Sequence, residues 1–293
     1  MTTSVDANDP DGTVDLPDGR TVAYDEYGSP DGVPVIYHHG TPGSRLLGAA
    51  FEDIAESNGV RLIAPDRPGT GQSDPVANRS LGGWADDAVA LADGLGVDEF
   101  GVLGFSGGGP HALAVAARHP ERVDRVALVS TVGPPSAPND GAGLTSKTLD
   151  AVARRSALLT GVLFRLQAFA VERSDAESLV GQFSDRPLAD FEERTERPFG
   201  PLVEANLREA YRQGSAAAAS ESRLFVRDWG FDIDAVATPV RLWHGEADTN
   251  APPAAAAHLA ERLPDAKLTR LPNDDHLSAL VESRESAVEW FSD

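Results

Sequence analysis

The alternation of apolar and polar positions divides the chain into three stretches. In the first, to about residue 132, strand-like and helix-like segments take turns. Val33–His38, Val60–Ala64, Phe100–Phe105 and Val123–Thr131 are short, mostly apolar runs, as expected of strands covered on both faces of a parallel sheet. Between them the spacing predicts helices over Ser44–Asn58, Ser80–Leu95 and Gly108–His119. Ahead of these, Thr13–Leu16 and Thr21–Tyr27 flank Pro17-Asp18-Gly19, a turn signal that predicts an antiparallel hairpin. Residues 1 to about 11 read as a frayed tail.

The second stretch, 133–232, almost lacks strand pattern. Pro134, Pro135 and Pro138 mark its entry, and helices are expected over Leu149–Leu158, Leu163–Val171, Ala176–Phe183, Leu188–Thr195 and Leu202–Tyr211, with Arg223–Val226 closing the set. The alanine run Ala216–Ala219 is too short to count as a low-complexity tract. The third stretch, 233–293, returns to alternation with strand Val240–Trp243, helix Pro253–Leu263, strand Lys267–Leu271 and helix Leu277–Phe291. The pattern predicts an α/β fold with an eight-stranded, mostly parallel sheet flanked by helices. Its core comes in two pieces, 1–132 and 233–293, with an all-helical lid inserted over 133–232.

With 293 residues the chain buries roughly three quarters of its unfolded surface and needs no covalent staple. It has no cysteine, which excludes disulfides, thiol nucleophiles and thiolate metal sites. No apolar run approaches the ~18 residues of a membrane span. The acidic, polar start lacks the marks of a secretory signal, so a soluble cytoplasmic protein is expected. The charge is more distinctive: 25 Lys+Arg against 46 Asp+Glu give a formal net charge of −21, and the only lysines are Lys147 and Lys267. Such a surface repels nucleic acid and anionic membranes, leaving a small molecule as the expected partner. It also fits a salt-loving source, where counter-ions screen self-repulsion; a GC-rich genome that favours arginine is the alternative.

The candidate chemistry centres on Gly104-Phe105-Ser106-Gly107-Gly108. A serine between a strand and a helix, with small residues two positions either side, matches the G-x-S-x-G nucleophile elbow. The sharp turn strains the serine backbone and presents its Oγ at a helix N-terminus, which favours developing negative charge. A nucleophilic serine needs a base, an orienting acid and oxyanion donors, each on a loop after a strand. Of the seven histidines, only His276 lies in a loop after the last strand. His111, His119 and His258 fall on helices, and His244 is read as a packed or hydrogen-bonded residue in the acid loop. In the order Ser…Asp/Glu…His the acid follows Val240–Trp243, where Asp248 is the choice and Glu246 its competitor. Asp274 and Asp275 read as solvated loop charge. The expected donors are the backbone N–H groups of Gly107 and of Thr41, in the glycine-rich loop His39–Ser44, and the Thr41–Pro42 peptide is expected to be cis.

Taken together, His39-Gly40-Thr41-Pro42, the Asp66–Asp74 loop, the elbow, the Gly245–Asp248 loop and Asp275-His276 resemble the α/β-hydrolase superfamily, in its order and over nearly the whole chain outside the lid. The resemblance implies the α/β-hydrolase fold, with the Asp66–Asp74 loop supporting the oxyanion loop rather than acting in catalysis. A serine at the elbow argues against the branches built on an aspartate nucleophile, the haloalkane dehalogenases and epoxide hydrolases. Gly107 departs from the larger side chain that the family often carries there, which on this reading leaves extra space beside Ser106.

The implied activity is hydrolysis of a small-to-medium carboxylic ester through an acyl-enzyme on Ser106, without metal or organic cofactor. The apolar residues of Ala157–Ala170 pack the lid onto the body or wall an acyl pocket. One alternative is a proline-iminopeptidase-like aminopeptidase, with Glu204 or Glu209 holding the substrate amine. Lyases, perhydrolases and ligand-binding receptors on the same fold form another.

Overall fold

The computed structural model describes residues 9–195 and 197–292; of the expected tail, residues 1–8 lie outside them. Strands β1 (Gly12–Asp15) and β2 (Thr21–Gly28) form the antiparallel hairpin, with Asp15 opposite Thr21. There follow β3 (Val33–His38), α1 (Glu52–Ser57), β4 (Val60–Pro65), α2 (Leu81–Gly94), β5 (Phe100–Phe105), α3 (Gly108–Arg118) and β6 (Val123–Val129). After a helical insertion come β7 (Val240–Gly245), α10 (Pro253–Arg262), β8 (Ala266–Leu271) and α11 (His276–Ser292).

The eight strands form one sheet in the order β1-β2-β4-β3-β5-β6-β7-β8, antiparallel at β1/β2 and β2/β4 and parallel elsewhere. The central strands are apolar throughout because both of their faces are covered. Val35, Tyr37, Leu103 and Phe105 pack on the side of α1 and α11, while Ile36, Val102 and Leu128 face α2, α3 and α10. Parallel pairing of β3, β5, β6 and β7 brings their C-terminal ends to one edge, where the loops bearing the candidate residues emerge.

The insertion between β6 and β7 comprises, among the described residues, α4 (Leu144–Arg155), α5 (Ala157–Val171), α6 (Ala176–Val180), α7 (Leu188–Thr195), α8 (Phe199–Ala210) and α9 (Ala216–Phe225). Three segments differ from expectation. Ser44–Asn58 is not one α-helix: Arg45–Phe51 is a tighter 3₁₀ segment, pressed so close to the sheet that a Cβ on Gly48 would lie 2.5 Å from the Tyr27 ring. The helix expected over Leu149–Leu158 begins at Leu144 and stops at Arg155, because Ser156 adopts extended backbone and caps α5 by accepting from Leu159 N–H. Arg223–Val226, expected to close the set, takes in only the end of α9, which opens at Ala216; alanine has the highest helix propensity, and the run Ala216–Ala219 carries the helix on to Phe225.

Most of the apolar stretch of α5 takes neither expected role. Phe164 and Val171 turn inward, whereas Leu158, Leu159, Val162, Leu163, Leu166 and Phe169 lie on the surface. Among the described residues no helix is long and apolar enough to cross a membrane.

Candidate active site

The turn from β5 into α3 places Ser106 in the left-handed region, at φ 54°. Two glycines allow it. A Cβ on Gly104 would lie 2.8 Å from Gly108 O, and one on Gly108 would collide with the His38 carbonyl of the neighbouring strand. The bend directs Ser106 Oγ at His276, whose Nε2 is 2.9 Å away. His276 opens α11, and its Nδ1 is 2.7 Å from Asp248 Oδ2. An ionised carboxylate only accepts, so Nδ1 carries the proton and Nε2 is left to accept from Ser106. The imidazole is buried, with ring centroids of Phe105 and Phe183 at 5.1 and 6.4 Å.

Asp248 is buried in the loop after β7, and its Oδ1 accepts from the N–H groups of Asn250 and Ala251 at 2.9 Å each. His244 donates through Nε2 to Ala251 O at 2.8 Å and lies 3.4 Å from Asp248 Oδ2, a hydrogen-bonded member of that loop. Burial holds its pKa below the usual histidine range. Glu246 is exposed and faces Arg270 at 4.0 Å. The competing acid is thus turned away from His276.

The histidines expected on helices are engaged elsewhere, His119 just past the end of α3. His119 lies 2.9 Å from Asp86, His258 is 3.4 Å from Ser136 Oγ, and His111 Nδ1 is 2.8 Å from Gly107 O. Asp274 and Asp275 are not solvated charge. Asp274 is buried and accepts from Arg186 of the insertion at 3.0 Å. Asp275 accepts from Ser184 Oγ at 2.6 Å and from Asp185 N–H at 3.0 Å. These bonds hold its carboxyl below the ordinary range although burial pushes it up. The two aspartates tie the loop ahead of His276 to the insertion.

Thr41 and Gly107 face each other beside Ser106, and neither N–H has a hydrogen-bond partner among the described residues. The Thr41–Pro42 peptide is cis. The space expected beside Gly107 is filled: a Cβ there would lie 2.5 Å from Thr41 Oγ1 and 2.9 Å from Phe225 Cζ of α9. Behind this loop Arg67 donates to His39 O at 2.6 Å and Gly40 O at 3.0 Å, while Asp66 accepts from Arg45 N–H and Nη1 at 2.8 Å each.

A residue not expected at the site is Glu221, which is buried on α9 and bound to Arg67, Arg79 and Thr41. The one available signal was a glutamate five residues into an alanine-led helix. Glu204 pairs with Arg208 at 2.7 Å and Glu209 with Arg45 at 2.7 Å, so neither carboxylate is turned to the site.

Ser106, Thr41, Gly107 and His276 line the floor of a cavity of about 950 Å³ that opens toward Asn139, Lys147 and Arg154. On the other side of Ser106 a second recess of about 30 Å³ is walled by Leu47, Phe105, Val203 and Leu207. Among the described residues no group of three His, Asp or Glu side chains is placed to hold a metal ion.

Residues 33–283 match the family model of the alpha/beta hydrolase fold. A pimeloyl-[acyl-carrier protein] methyl ester esterase of Aromatoleum aromaticum is 33% identical over 78% of this chain and 86% of its own length. A non-heme chloroperoxidase of Streptomyces lividans is 40% identical over 42% of this chain, a match spanning 45% of that relative. Among solved structures, an alpha/beta hydrolase fold protein from Nakamurella multipartita superposes with a TM-score of 0.68 at 25% identity, covering 96% of this chain and 98% of its own. An esterase from Exiguobacterium antarcticum shares the fold at a TM-score of 0.71 and 20% identity, over 96% and 99%. Relatives named as esterases and hydrolases support hydrolase chemistry, and the chain belongs to the α/β-hydrolase family.

Proposed function

We propose that the protein is a serine hydrolase that cleaves small-to-medium carboxylic esters in the cytoplasm, with Ser106 as nucleophile, His276 as base and Asp248 as orienting acid. The observation that carries this reading is the unbroken hydrogen-bond chain Ser106–His276–Asp248 at 2.9 and 2.7 Å, at the foot of the large cavity. Ser106 Oγ attacks the ester carbonyl as its proton passes to His276 Nε2. Asp248 stabilises the resulting imidazolium, and the N–H groups of Thr41 and Gly107 receive the oxyanion. Collapse expels the alcohol, which takes the proton back from His276; water activated by the same nitrogen then releases the acid. The helical insertion acts as a lid over this chemistry.

The two spaces beside Ser106 suggest which part of the ester goes where. A recess of about 30 Å³ has room for roughly two waters or a short acyl chain, whereas the 950 Å³ side receives a larger alcohol. Hydrolysis of p-nitrophenyl esters from acetate to decanoate tests the reading. Turnover should be greatest for the short acyl groups and abolished in Ser106→Ala; turnover that survives the substitution refutes it. Proline p-nitroanilide, run in parallel, should be a poor substrate, because Glu204 and Glu209 are both committed to arginines.

A second reading has support in the relatives. Perhydrolysis would use the same acyl-enzyme with peroxide in place of water, and a bifunctional esterase/perhydrolase of Acinetobacter calcoaceticus is 33% identical over 42% of this chain and 45% of its own length. Peracid formed from acetate and hydrogen peroxide faster than p-nitrophenyl acetate is hydrolysed would favour it.

A further inference from the structure

The reaction above makes no use of a buried ionic cluster behind the oxyanion loop. Its centre is Glu221 on α9, 2% exposed. Oε1 accepts from Arg67 Nε at 2.6 Å and Arg79 Nη2 at 2.5 Å. Oε2 accepts from Arg67 Nη2 at 2.9 Å and from the Thr41 hydroxyl at 2.5 Å. Arg67 also donates to Thr41 Oγ1 at 3.1 Å and to the carbonyls of His39 and Gly40. On the Gly107 side, His111 Nδ1 is 2.8 Å from Gly107 O, and its Nε2 lies 3.9 Å from Glu221 Oε1. Burial raises the Glu221 pKa, but Arg67 and Arg79 outweigh it and hold the carboxyl well below the usual range. One ionised group thus stands behind both N–H donors.

The loop needs such a strut. An oxyanion hole contributes only if its donors are fixed before charge develops. His39–Ser44 has neither helix nor strand ladder to fix it and includes Gly40 and Gly43. The Thr41 side chain, held between Glu221 and Arg67, leaves its backbone N–H as the group free for the oxyanion. Glu221 lies on the insertion and its partners on loops of the body, 180 residues away at Thr41 and 154 at Arg67. Glu209 of α8 makes a comparable bridge to Arg45 without touching the oxyanion loop, which supplies an internal control.

We propose that Glu221 is a positioning residue for the ester hydrolysis proposed above, on which this inference rests. It fixes Thr41 directly, and the His39 and Gly40 carbonyls through Arg67. The Thr41 N–H then reaches the oxyanion only while α9 is seated on the body.

The test measures p-nitrophenyl acetate kinetics, melting temperature and inhibition by an aryl trifluoromethyl ketone, whose hemiketal oxygen occupies the oxyanion position. Glu221→Gln should lower kcat roughly 10- to 100-fold with KM within about twofold, and weaken the ketone by the same factor. That change leaves two buried guanidinium groups without their counter-charge, so Thr41→Val is measured beside it. The valine keeps the shape and the backbone N–H and removes only the hydroxyl bridge; it should lose about tenfold in kcat and in ketone affinity. Glu221→Asp should recover part of the loss, and Glu209→Gln should lower the melting temperature with kcat retained. Wild-type kcat and ketone affinity in Thr41→Val, or an equal kcat loss in Glu209→Gln, overturns the proposal. If the wild type shows no turnover dependent on Ser106, the hydrolase reading itself fails, and this inference with it.

Discussion

Replacing Gly107 with alanine places one methyl group where the structure has no room for it. The added Cβ would sit 2.5 Å from Thr41 Oγ1, 2.9 Å from Thr41 Cβ and 2.9 Å from Phe225 Cζ, where ordinary contacts run from 3.4 to 4 Å. Gly107 itself has φ −61°, so the backbone tolerates alanine and the whole cost is steric. Relief requires Thr41 to retreat by about 1 Å, yet its hydroxyl is held by Glu221 and Arg67. The Phe225 ring cannot swing freely either, since it packs edge-on against His111 at 5.9 Å. Overpacking of this kind costs about 1–3 kcal/mol. A displacement near 1 Å at a group that contacts the transition state can lower turnover roughly 100-fold. Urea denaturation and p-nitrophenyl acetate kinetics of Gly107→Ala measure the two effects together. Phe225→Ala in the same chain should restore little activity, because the closest contact is to Thr41. Wild-type stability and kcat/KM in Gly107→Ala would show instead that Thr41 and Phe225 yield without cost.

Four further outcomes follow. Burial and the Arg67 charge depress His38 to a pKa of about 3. Its neutral form therefore stabilises the fold above the unfolded value near 6.5, and about 2 kcal/mol is lost between pH 7 and 5. Asp66, raised by burial to about 6, opposes this by about 1 kcal/mol over the same window. His39, His111 and His244, also depressed by burial, add to the loss, so urea midpoints should fall from pH 7 to 5; a flat profile contradicts this. With a net charge of −21, raising KCl from about 0.1 to 1 M shortens the screening length from ~10 to ~3 Å and should raise the melting temperature; an unchanged value contradicts the salt-loving reading. Asp248→Asn should lower kcat by about 10³–10⁴ with KM little changed, since the amide permits the wrong histidine tautomer. Arg186→Ala, which leaves the buried Asp274 with only Arg194 facing it at 3.8 Å, should lower stability by about 1–3 kcal/mol in urea titrations.

What the sequence made legible was what depends on local order. The elbow is a contiguous motif whose glycines answer to a turn, and Asp248 and His276 follow from strand ends read in chain order. The buried strands were legible because β3, β5 and β6 are apolar on both faces. Glu221 was not, because its partners lie 142 to 180 residues away and nothing local distinguishes it from a solvated glutamate. Asp274 and Asp275 were misread for the same reason: Arg186, Ser184 and Asp185 meet them only once the insertion is seated. The composition of α5 records that its residues are apolar but not which way they face, and most face outward. Gly107 looked like open space because the side chains that fill it, Thr41 of a distant loop and Phe225 of α9, are far away in the chain.

Activation of Ser106 as a nucleophile by His276 is open to test by covalent labelling. The folded protein is treated with a fluorophosphonate, and intact mass and peptide mapping locate the adduct. One adduct per chain is expected, on Ser106, forming much more slowly in His276→Ala and absent in Ser106→Ala. Ester hydrolysis that continues with Ser106 unlabelled, or an adduct on another residue that abolishes turnover, would contradict it.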